Sequence, residues 1–157
     1  MTAPANQNSA PDDVELRLRT MRTLWLALLM TLVMYYVFTL FAGRPPNNAP
    51  NTTLFLVLVG AAVLTTLISF PIRNALVNKA IAQHQPTLVQ QAYIVGWAVI
   101  EVGGLLGMLD FFLTGDRYYY VMFIIAGFGH LLQAPKREHV VNASFKGRPS
   151  GIWQEPI

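Results

Sequence analysis

The chain has 157 residues, of which 54% are hydrophobic and only 12% charged, about half the charged fraction of an average soluble domain. Its net charge of +3 does not indicate nucleic acid, because the basic residues sit beside apolar runs rather than on one soluble face. It contains no cysteine, which excludes disulfides, thiol nucleophiles and cysteine-ligated metal.

Residues 1–12 are polar, with no apolar pattern, and read as a disordered tail. Asp13 to Arg22 suits a short helix capped by Asp12 or Asp13. Residues 1–22 thus form an N-terminal tail, 23–134 a membrane domain and 135–157 a C-terminal tail. A membrane helix needs about 20 apolar residues, because each adds about 1.5 Å toward a hydrocarbon core of about 30 Å. Four segments meet this: 24–42, 54–72, 92–113 and 118–134, the last being the shortest. The first two carry no charge and no polar stripe, unlike a helix of a soluble protein. The first run is also too long for a signal peptide and lacks a cleavage site.

Between the first two spans the chain is rich in Pro and Asn. Asn51-Thr52-Thr53 matches a glycosylation sequon but also reads as a helix cap. Residues 73–85 are compatible with helix, and Pro86 interrupts them before the third span. Beyond Pro135 the chain is polar, and 147–157 lacks any structural pattern.

With four crossings, both tails and the middle loop share one side. That side holds Arg17, Arg19, Arg22, Arg73, Lys79, Lys136, Arg137, Lys146 and Arg148, and the other only Arg44 and Arg117. This asymmetry places both termini in the cytoplasm. Trp25 and Trp97 then mark the inner interface, and Tyr118, Tyr119 and Tyr120 the outer one. The expected fold is an all-α integral membrane four-helix bundle of two hairpins. Trp25 to Gly43 and Trp97 to Gly115 share one spacing, and Pro-x-Arg ends each hairpin, a weak pattern of parallel duplication.

Within the spans the titratable groups other than tyrosine are Glu101, Asp110 and His130. Such groups are costly in hydrocarbon and are functional candidates. Counting outward from Gly115-Asp116 puts Glu101 and His130 at one depth, about one turn inside the inner interface. Facing each other, they form either a neutralised structural clasp or a proton shuttle. Asp110 lies near the outer end, within reach of Arg117 or Arg44, on the face opposite Glu101. Gly96, Gly103 and Gly107 line one face of the third helix, and Ala62, Thr66 and Ser69 one face of the second. Both faces permit close helix approach. His84 and His139 read as surface residues.

No metal or cofactor motif and no catalytic signature is present, so the sequence leans away from an enzyme. The expected partners are the lipid bilayer, a second copy or other membrane subunits. The expected role is a structural or accessory unit of a membrane assembly. The alternative is a small transporter or proton-conducting protein using Glu101 and His130.

Overall fold

A computed structural model describes residues 9–43 and 51–144. The far N-terminal tail, most of the Pro- and Asn-rich loop with Arg44, and residues 145–157 lie outside this description. Five α-helices and no strand are found among the described residues: α1 Ser9–Phe41, α2 Thr52–Ala82, α3 Pro86–Leu113, α4 Tyr120–Leu132 and α5 Arg137–Ser144. The first three are long and apolar enough to cross a membrane. The apolar α4 has 13 residues, a rise of about 20 Å, against the seventeen-residue span expected there.

Local chemistry sets the boundaries. Asn51 caps α2, its side-chain carbonyl accepting from the Leu54 N–H at 3.0 Å. Pro86 opens α3 where a missing N–H costs nothing. Between them the chain reverses at Gln83–Gln85, with His84 left-handed at φ 51 and exposed. After α3, Gly115 takes φ 61, a conformation glycine adopts without a Cβ clash. Pro71 lies inside α2 without ending it, as helices in membranes tolerate.

α3 is the central element. It packs most extensively on α2 and also against α1, α4 and α5, whereas α1 and α2 do not pack on each other. The first pair of spans is therefore not a packed hairpin, and the suggested duplication has no counterpart in the packing. The cause lies in α3, whose small-residue face takes α2: Gly103 abuts Ala62, and Gly96 abuts Arg73.

One expectation for the N-terminal tail is corrected. α1 starts at Ser9 and runs without a break to Phe41, so 13–22 is neither a separate helix nor newly capped at Asp12 or Asp13. Val14, Leu18 and Met21 are buried at helical spacing, and nothing between them breaks a helix. Past Pro135, the polar sequence hides α5. Eight residues are marginal as an isolated helix, but Val140 and Ala143 are fully buried. They join Val14, Met21, Val77, Ala80, Val89 and Ala92 in the largest apolar cluster. This cluster gathers the start of α1, the end of α2, the start of α3 and α5 at one end of the molecule.

The remaining helix surface is apolar and outward. Met30, Met34 and Phe38 on α1, Leu64 and Leu67 on α2, and Ile124 and Phe128 on α4 are all exposed. In water such a surface would be untenable; against lipid it is the expected covering. The chain is thus membrane-associated through transmembrane helices.

Candidate functional site

The site forms where α2, α3 and α4 converge, at the C-terminal end of α4. That end leaves carbonyls short of partners inside the helix, and two indoles donate there, one of them to the His130 carbonyl that also accepts from the Gln133 N–H at 3.1 Å. The Trp25 Nε1–H donates to the His130 carbonyl at 2.9 Å, and the Trp97 Nε1–H to the Gln133 carbonyl at 3.1 Å. Trp97, read from sequence as a headgroup-level ring, is fully buried and faces protein.

Glu101 and His130 are brought together, with Glu101 Oε1 3.5 Å from His130 Nε2. His130 is completely buried, and the Glu101 side chain is 12% exposed. The distance suits an ion pair, but neither carboxylate oxygen nor either ring nitrogen has a hydrogen-bond partner among the described residues. Equal depth came from counting residues; the facing of the side chains comes from α4 seating on α3.

One turn along α4, Gln133 extends the polar core. Its amide Nε2–H donates to Ser69 Oγ at 2.6 Å, and Ser69 in turn donates to the Thr66 carbonyl at 2.6 Å. Gln133 and Ser69 are both fully buried, and Thr66 nearly so. Gln133 Oε1 and Thr66 Oγ1 have no partner among the described residues. Gln133 escaped sequence reasoning because a single Gln beside a span end has no distinguishing pattern.

Gly96 makes room for this amide. A Cβ there would lie 2.7 Å from Gln133 Oε1 and 3.1 Å from Arg73 Cβ. A Cβ on Gly103 would meet Ala126 Cβ at 3.4 Å and Ala62 Cβ at 3.7 Å, ordinary contacts. A Cβ on Gly107 would lie 3.1 Å from the Phe123 ring and 3.2 Å from Met122 Cβ. The Gly96→Ala protein is therefore expected to lose about 1–3 kcal/mol, the usual cost of overpacking, as the amide is pushed off Ser69. Gly103→Ala should stay within about 1 kcal/mol of the parent. Comparing unfolding in detergent checks both, and equal stability of the two variants contradicts the packing.

Below Gln133 lies Arg73, buried rather than displayed on a loop. Its Cζ is 5.4 Å from the Tyr93 ring centre and 5.7 Å from that of Phe70, within cation–π range. Its Nε and Nη2 donate to Asn74 Oδ1 at 3.2 and 2.8 Å. The Tyr93 hydroxyl accepts from the Lys136 N–H at 3.2 Å and pairs with His139 Nδ1 at 2.8 Å. His139 is thus no plain surface residue; it ties α5 to α3.

Burial, then the positive charges of Arg73 and Lys136, hold the His139 imidazole below its ordinary value near 6.5, and Glu138 opposes them weakly. The neutral ring shares a hydrogen bond with the Tyr93 hydroxyl. Because the folded pKa is depressed, the unfolded chain binds a proton first as pH falls below about 6.5, and stability declines from there. The melting temperature should drop between pH 7.5 and 5.5, and His139→Gln should lessen the drop. An identical drop in parent and variant contradicts this role.

Asp110 stands apart. It is fully buried, and Thr114 Oγ1 donates to its Oδ1 at 2.8 Å. It forms no ion pair with Arg117, which instead donates to the Tyr118 hydroxyl at 2.6 Å. Thr114, one turn on, reaches the carboxylate in place of Arg117; Arg44, the other expected partner, lies outside the described residues.

Among the described residues no group of three or more His, Asp or Glu side chains is set to hold a metal ion. Neither Glu101 nor His130 lines the surface grooves between α1 and α4, between α2 and α4, or along α1. No protein family, characterised protein or solved structure matches this chain.

Proposed function

We propose that the chain is a multi-pass membrane protein with four crossings and both termini in the cytoplasm, serving as a structural or accessory unit of a membrane assembly. The observation that carries this reading is the closed polar core. His130, Gln133 and Ser69 are fully buried between α2, α3 and α4, with exposed apolar residues on the outer faces of α1, α2 and α4. In this reading Glu101 and His130 clasp α3 to α4. The basic residues at the end shared by Arg17, Arg22, Lys79 and Arg137 support the sidedness. The shortness of α4 is met by the turns flanking it, with Tyr118 and Tyr120 exposed at its start. Assembly partners are a second copy or other membrane subunits.

A second reading, proton transfer through Glu101 and His130, is favoured by one observation: all four of their polar side-chain atoms lack hydrogen-bond partners among the described residues. Proton flux into reconstituted vesicles separates the two. The clasp gives no flux above empty vesicles in either the parent or folded Glu101→Gln. Flux in the parent that Glu101→Gln abolishes would replace the clasp with the transport reading.

A further inference from the structure

We infer that one face of α1 binds an anionic phospholipid, its phosphate on Arg19 and Arg22 and an acyl chain in the groove between α1 and α4. Arg19 and Arg22 are exposed and in no ion pair among the described residues. They line a shallow surface depression with Glu15, Leu16, Thr23 and Leu26, so two guanidinium groups face one carboxylate there. At 100° per residue, Arg19, Arg22, Leu26, Leu29, Val33 and Tyr36 fall within about 100° of arc. The basic head of this face thus continues directly into an apolar body.

That body opens into a groove of about 340 Å³, walled by Leu29, Val33 and Tyr36 of α1 and by Phe123 and Ile124 of α4. Gly127 forms part of its lining, and a Cβ built there meets nothing within 4 Å. From Arg22 to Val33 the helix rises about 16 Å, the depth of one hydrocarbon leaflet at about 15 Å. Charge and apolar surface are therefore spaced as the phosphate and tail of one lipid. A second copy of this face would set arginine against arginine, so the charge favours a lipid.

The inference rests on α1 crossing the bilayer with its basic end at an anionic surface, as proposed above. Its test uses delipidated full-length protein in neutral detergent, titrated with phosphatidylglycerol or phosphatidylcholine and followed by native mass spectrometry. The parent should retain phosphatidylglycerol in preference to phosphatidylcholine. Arg19→Gln with Arg22→Gln should weaken phosphatidylglycerol about thirty-fold, roughly fivefold per charge, and remove the preference. Gly127→Leu, which fills open space, should weaken both lipids without lowering the melting temperature.

Equal retention of the two lipids by the parent overturns the inference. So does unchanged phosphatidylglycerol binding in the arginine variant, or Val33→Cys cross-linking between copies that added lipid leaves undiminished. The parent comparison stands even if a variant misfolds. Binding in detergent is indifferent to the number of crossings, so failure here is separate from failure of the topology.

Discussion

His130→Leu is expected to destabilise the protein by about 3 kcal/mol, while Glu101→Leu combined with His130→Leu is expected to return to within about 1 kcal/mol of the parent. The single change leaves the Glu101 carboxyl, which is 12% exposed, without the imidazole it approaches at 3.5 Å. An uncompensated charge in hydrocarbon costs about 2.5–3.5 kcal/mol, and breaking a buried pair from one side has a comparable cost. The double change removes both polar groups and leaves leucines of similar reach, an exchange that buried polar pairs often tolerate. Unfolding of the parent, both single variants and the double variant in detergent closes the cycle. Additive losses would mean that the 3.5 Å approach carries no coupling.

Trp97→Ala should have the largest effect of any single truncation, about 3–5 kcal/mol. The ring is fully buried and tilted against Tyr93, with ring centres 5.4 Å apart. Its loss opens a cavity and frees the Gln133 carbonyl. Trp97→Phe separates the two effects. It keeps most of the volume, so its cost of about 1–3 kcal/mol is that of a buried carbonyl without its donor. Trp25→Phe removes the matching bond to the His130 carbonyl from a half-buried ring and should cost about 1 kcal/mol. If both Phe variants match the parent, the indoles do not hold the end of α4.

What the sequence made legible was depth and length. Apolar runs marked the three long helices, Pro86 the break just ahead of the third, and Asn51 a cap for α2. Residue counting alone set Glu101 level with His130. Rotation about each helix axis was not legible, because it follows from which side chains interlock. Trp97 turned inward for that reason, and so did Arg73, whose charge had marked only a flank. α5 was hidden because its sequence is polar and its helicity depends on burying Val140 and Ala143 against three other helices. His139 and Tyr93 are 46 residues apart, a pairing that no local pattern announces. Proximity to the span end pointed Asp110 toward Arg117, where the nearer hydroxyl of Thr114 reaches it instead.

The four-crossing arrangement is most exposed at α4, whose 13 residues span about 20 Å. Because the chain contains no cysteine, single cysteines can be placed at Arg117, before α4, and at Arg137, after it. An impermeant maleimide applied to intact cells should label Arg117→Cys directly and Arg137→Cys only after permeabilisation. Labelling of both from the same side would contradict a fourth crossing.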